Sequence, residues 1–181
     1  RLVNLINFLK KYNINLFNEN IKFEVLILLN KIEYFRRGIN NHILKNSQAI
    51  IFVGLFLGDK NLTNIGINIL EDSLKILINK NGLLRESSSS YQYLVCNLLF
   101  EISEFIISEK KKVNKKLINY INKMVISCNF FNINHKLVLF GDTTPDKTVD
   151  ELINNFTNRK KKFPKSSKYI INKSKKNKFF N

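Results

Sequence analysis

Through the first 130 residues, apolar positions recur at the i, i+3, i+4, i+7 spacing of a helix that buries one face. Leu2, Val3, Leu5, Ile6, Phe8 and Leu9 form a stripe already under way at residue 1, and the Asn-rich NINLFNEN breaks it. The same spacing predicts helices over Phe23–Tyr34, His42–Leu57, Leu62–Ile78, Tyr93–Ile107 and Val113–Cys128. The breaks have recognisable chemistry. Gly38 can end the second helix, and Asn40 or Asn41 can cap the third by accepting backbone N–H bonds. Gly58-Asp59-Lys60-Asn61 ends the third, and NKNG ends the fourth at Gly82. Helices joined by such short turns predict antiparallel hairpins stacked side by side, and hence a mainly α fold.

The period changes after residue 130. His135–Phe140 (HKLVLF) reads as a strand or extended segment, GDTTPD as its closing turn and Val149–Phe156 as a short helix. Beyond Arg159 the chain is rich in Lys and carries no acid, the pattern of an anion-binding arm. Yet Lys168–Asn172 (KYIIN) alternates as a strand does. The division expected is a helical unit at 1–130, a closing segment at 131–158 and the basic start of a β domain at 159–181. Because the first stripe begins in mid-pattern at Arg1, the chain reads as a fragment without its true N-terminus.

Composition fits a folded helical body: 44% of residues are hydrophobic, and only six Gly and two Pro interrupt the pattern. Thirty Lys and Arg against 14 Asp and Glu give a net charge of 30 − 14 = +16, enough to attract polyanions. Nucleic acid, acidic polysaccharide and anionic lipid are all compatible with that field. So is a bland origin, since heavy use of Lys, Asn and Ile without Trp is what AT-rich coding sequence yields. No recognition helix with clustered Arg and no regular aromatic platform points to nucleic acid, which is not expected as a partner. The longest apolar run, AIIFVGLFL, is too short for the ~20 residues that span a bilayer, so no membrane helix is expected. Cys96 and Cys128 belong to no Cys/His cluster of zinc spacing and read as buried apolar thiols. No metal or cofactor is expected.

Reactive polar groups concentrate at two helix starts: Asn40, Asn41 and His42, and the stretch RESSSSYQ from Arg85 to Gln92. In an array of hairpins, successive helix ends return to the same rim, so residues about 50 apart can face one cleft. Singly, each element is weak. A His in a first helical turn is more often a surface or packing residue, and a Tyr before a helix is more often a half-buried staple. The serines themselves look at first like a linker.

Taken in order, GINNHILKNSQAIIFVGLFLGD and GINILEDSLKILINKNGLLRESSSSYQYLV resemble the heparinase II/III-like polysaccharide lyases, which include alginate lyases of similar architecture. LVLFGDTTPD resembles the segment that closes that family's helical domain, and FPKSSKYIINKSKKNKFF the opening strands of its β-sandwich, so the likeness covers about residues 38–175. The resemblance implies part of an incomplete α/α toroid leading into a truncated β-sandwich. It implies β-elimination on a uronic-acid polysaccharide: a base removes the C5 proton, and the glycosidic oxygen leaves C4 with a proton from an acid. Asn41 and His42 would then neutralise the uronate carboxylate, and Tyr91 would transfer the proton. A phenol ordinarily ionises near pH ~10, so a base role calls for nearby cations, of which Arg85 is the candidate.

Asn40, Arg85, Glu86 and Gln92 would contact substrate, with Glu86 bonding sugar hydroxyls or orienting Tyr91 and His42; Glu86 equally reads as a carboxylate favoured by a helix start, and the serines as a pliant wall around the sugar that also caps the helix beginning near Tyr91. In many members a His follows the catalytic Tyr, where this chain has Gln92, and a sandwich strand beyond Asn181 would supply a further His. The expected partner is an acidic polysaccharide, and the resemblance implies a periplasmic or secreted bacterial protein. A non-catalytic glycan-binding protein of a surface-polysaccharide pathway is the alternative that Gln92 keeps open.

Overall fold

The computed structural model describes residues 1–32, 40–133, 136–143, 154–155 and 157–159. It is mainly helical: α1 (Leu2–Lys11), α2 (Asn18–Lys31), α3 (Asn41–Leu57), α4 (Lys60–Leu77), α5 (Ser89–Ser108) and α6 (Lys115–Phe130), followed by the two-residue strands β1 (Asn132–Ile133) and β2 (Lys136–Leu137). The six helices fall where the apolar spacing predicts them, with α2 starting earlier at Asn18 and α5 taking in two of the serines.

α3 and α5 are the interior. Every residue from Ser47 to Gly54 of α3 is buried, and α5 is buried along most of its length from Ser89 to Ile106. A helix apolar on all sides can be stable in water only when others surround it. α3 accordingly packs against α1, α2, α4 and α5, and α6 packs against α5. The outer helices α1, α4 and α6 keep one apolar stripe, carried by Ile6 and Leu9, by Leu70 and Leu74, and by Ile121 and Met124, and turn their polar faces outward. Both cysteines are buried and free, and Tyr93 ties α5 to α6 by donating its hydroxyl to the Cys128 carbonyl at 2.7 Å.

The α3–α4 turn is the tightest connection. Gly58 takes the left-handed conformation at φ 70° and donates its N–H back to Gly54 and Leu55, which closes the end of α3. Asp59 then caps α4, its carboxylate accepting the Leu62 N–H at 2.9 Å. The helices so joined lie close enough that a Cβ at Gly66 would sit 2.9 Å from the Ile51 backbone nitrogen. α1 is held to the end of α5 by Lys10, which pairs with Glu109, donates to Ser108 Oγ at 3.3 Å and lies 4.6 Å from the centre of the Phe105 ring. Burial lowers the pKa of that lysine from its ordinary value.

Three expectations change. α4 ends at Leu77, and Gly82 lies in a small turn closed by an antiparallel bridge between Ile78 and Leu84. Of the expected strand or extended segment His135–Phe140, Lys136–Leu137 is the second arm of a minimal hairpin, with Ile133 opposite Lys136 and the Val138 N–H on the Phe131 carbonyl, before Phe140 leaves it to dock on Ser89 of α5. Arg159 is no solvated arm at its start: its guanidinium pairs with Glu101 at 2.8 Å and Glu104 at 3.6 Å on α5, and Glu101 also accepts from Gln48 of α3 at 2.9 Å. Gly38, most of Val149–Phe156 and the strand-like Lys168–Asn172 lie outside the described residues.

The helix packing makes a direct test. Gly66→Leu forces a branched side chain against the Ile51 backbone and is expected to lower the unfolding free energy by about 1–3 kcal/mol. Gly58→Ala meets open space and carries only the cost of a left-handed alanine, about 1–2 kcal/mol. Urea unfolding of both variants at constant m-value measures the two effects.

Candidate functional site

The two polar helix starts meet. Asn40, Asn41 and His42 at the head of α3, Glu86 and Ser88 from the loop before α5, Tyr91 in the first turn of α5 and Asp142 line one cleft of about 390 Å³. Local chemistry places the α3 group: Asn40 is extended, and its side-chain oxygen accepts the His42 N–H at 2.9 Å as the helix cap. That leaves the half-buried Asn41 and the exposed His42 in the first turn, facing the mouth.

Glu86 bridges the two elements. Its carboxylate accepts the backbone N–H of Asn41 at 3.3 Å with one oxygen and the Asn41 side-chain amide at 3.3 Å with the other. A carboxylate at a helix N-terminus satisfies a backbone donor left over by the helix and is favoured by the macrodipole. Glu86 thus sits as a carboxylate at a helix start, as one of its sequence readings has it, but at the start of α3 and not of α5. The contact also orients Asn41, whose NH₂ group keeps a second hydrogen to offer to a ligand.

The serines are a docking platform, which corrects the pliant-wall reading. Ser88 caps α5 by accepting the Tyr91 N–H at 3.4 Å, and its hydroxyl lies 2.8 Å from the Asp142 carbonyl, to which it donates. Ser89 donates its N–H to the Phe140 carbonyl at 3.0 Å, and its hydroxyl accepts the Phe140 N–H at 3.0 Å. The chain at Gly141 passes so close that a Cβ there would lie 2.2 Å from the Ser87 carbonyl oxygen. This strap delivers Asp142 to the cleft. Sequence reading missed Asp142 as a lining residue, because helical periodicity says nothing of where a loop after the last helix returns.

Gln92 and Arg85 do not join the cleft. The Gln92 side chain is 1% exposed, and its amide is used inside the fold: the oxygen accepts the Leu84 N–H at 2.8 Å and the nitrogen donates to the Gly82 carbonyl at 2.8 Å. It braces, from beneath, the loop that carries Glu86. Arg85 contributes its backbone N–H to the Leu77 carbonyl at 2.7 Å and is exposed, away from the lining. Among the described residues the cleft thus carries two carboxylates, one imidazole and one phenol, and no Lys or Arg. No three His, Cys, Asp or Glu side chains gather as a metal site among the described residues, and no helix there is long and apolar enough to cross a membrane.

Comparison with protein-family models, with curated proteins and with solved structures finds no match to this chain. The cleft has to be read from its own chemistry. It offers hydrogen-bond donors from Asn41, His42 and Tyr91 together with carboxylate acceptors from Glu86 and Asp142, a combination suited to a polar, hydroxyl-rich ligand.

Replacing Gln92 with Ala orphans a buried N–H and a buried carbonyl, each costing about 1–3 kcal/mol, so the variant is expected to lose about 2–6 kcal/mol of stability. Chemical denaturation gives that number. Hydrogen exchange at Leu84 is expected to speed up in the same variant, by more than the global loss of stability explains.

Proposed function

We propose that this chain carries part of the active site of a polysaccharide lyase that cleaves uronic-acid-containing polymers by β-elimination. The observation that carries the reading is the convergence of Asn41, His42 and Tyr91, about 50 residues apart in sequence, on one cleft with Glu86 holding Asn41 in place. The alternation of all-round buried helices, α3 and α5, with one-faced helices, α4 and α6, supports the finer reading as an arc of an α/α toroid that leads into a β-sandwich.

In this mechanism the difficulty is charge. Removing the C5 proton next to a carboxylate adds a second negative charge to the same few atoms. The free N–H of the Asn41 amide and the His42 ring donate to the uronate oxygens, and one such preorganised donor contributes about 10²–10³ in rate. Tyr91 moves the proton between C5 and the leaving glycosidic oxygen, a contribution of about 10²–10⁴. Glu86 acts through Asn41 as a positioning residue, and Gln92 acts through the loop beneath Glu86.

A second reading rests on a specific observation: Glu86 and Asp142 line the cleft while Arg85 does not. Two carboxylates suit sugar hydroxyls better than they suit a polyanion, which favours a protein that holds glycan without cleaving it.

The deciding measurement is the near-ultraviolet absorbance of unsaturated uronate released from acidic polysaccharides by the full-length protein. Tyr91→Phe is expected to lower that rate by about 10²–10⁴ while leaving glycan affinity within a few-fold. Full activity in Tyr91→Phe removes that residue from the mechanism. Glycan binding with no unsaturated product establishes the second reading in its place.

A further inference from the structure

At the far end of α3 from the candidate cleft, one helix length or about 25 Å away, a separate groove of about 340 Å³ opens between the α3–α4 turn, the end of α5 and the start of α6. Its floor is aliphatic: Ile51, Leu55, Ile67, Ile102, Ile106 and Leu117 line it, and among the described residues no aromatic ring does. Its rim carries Lys60, Lys111 and Lys112, all exposed.

The two acids at the rim are already engaged. Asp59 accepts the Leu62 N–H as the cap of α4, and Glu71 holds the Asn114 amide at 2.6 Å and the Lys116 ammonium at 2.9 Å. The three rim lysines have no ion pair among the described residues. A ligand matched to this groove has a flexible aliphatic body to fill the floor and one anionic end to meet the lysines, whose own methylene stems extend the apolar wall. A polysaccharide fits neither requirement, having hydroxyls along its whole length and no apolar body to desolvate.

We propose that this groove binds the acyl chain of a medium-chain fatty acid, with the carboxylate held by Lys111 and Lys112 and the chain lying over Ile67 and Ile102. The volume lies at the small end of the range of about 300–1,000 Å³ that ligand sites occupy, which suits a single short chain and not a diacyl lipid. The cation–carboxylate contact is at the surface, so affinity falls as salt rises. The site shares no lining residue with the Asn41–His42–Tyr91 cleft, and the proposal stands whether or not the lyase reading does.

Isothermal titration of the full-length protein with sodium decanoate, 1-decanol and decyltrimethylammonium, each below its aggregation limit, tests it. Decanoate is expected to bind at least tenfold more tightly than decanol, and decyltrimethylammonium not at all. The double variant Lys111→Glu/Lys112→Glu is expected to weaken decanoate at least tenfold and to leave decanol unchanged. Ile67→Phe, which fills the floor from a half-buried position, is expected to abolish both while circular dichroism and the melting midpoint show the fold retained. Equal affinity for the three amphiphiles, or decanoate binding unaltered in Ile67→Phe, overturns the proposal. Self-association in sedimentation that Ile67→Phe abolishes, without any decanoate binding, makes the groove an interface between copies and overturns it as well.

Discussion

The constraint on which the structure depends is that the middle of α3 has no solvent face. From Ser47 to Gly54 every residue is buried, so the helix must be enclosed by α1, α2, α4 and α5 before its backbone can leave water. The enclosure fixes the axis of α3, and with it both of its ends. Its N-terminus presents Asn40, Asn41 and His42 at one rim, while its C-terminus closes on Gly58 beside the aliphatic groove. Two separate surface features are thereby held by one buried rod.

A rigid helix end positions one half of the cleft only, and the other half lies on a loop. That loop is held from three directions. Gln92 bonds it from within, Glu86 ties it to the head of α3, and the Phe140–Asp142 strap covers the serines that follow it. These contacts satisfy backbone groups of the turn, of the head of α3 and of the strap, which is why so polar a stretch is ordered next to a hydrophobic core. Ser88 and Ser89 serve here because a short hydroxyl can cap a helix on one side and bond a crossing strand on the other.

The helices were legible because their signal is local: the stripe that buries Leu70 and Leu74 of α4 needs no knowledge of what they touch. Two helix-end signals were legible too, since Asn40 and Gly58 act within three or four residues of their own positions, whereas Asp59 was read only as part of the turn and not as the cap of α4. The return of successive helix ends to one rim predicts that Asn41, His42 and Tyr91 face one cleft, and the three do line one. What could not be read was every contact set by a long loop. Asp142 enters the cleft, and Phe140 leaves the expected strand, because of hydrogen bonds to serines about 50 residues earlier in the chain. Gln92 was misplaced for a related reason: its neighbour Tyr91 faces the cleft, but one step along a helix turns the next side chain by about 100°, which here points inward.

That inward turn gives the glutamine its own logic. Position 92 must accept from the Leu84 N–H and donate to the Gly82 carbonyl at the same moment, in a site closed to water. A neutral imidazole has one donor and one acceptor and can satisfy the same pair, but on protonation both ring nitrogens become donors and the Leu84 N–H loses its partner. The buried charge would add its own cost. A carboxamide does not titrate, so with Gln92 the loop that carries Glu86 is braced alike across the whole range over which a histidine would switch. The chain has thus separated two tasks that one imidazole would couple, placing its titratable cleft groups on the surface and a neutral brace beneath them.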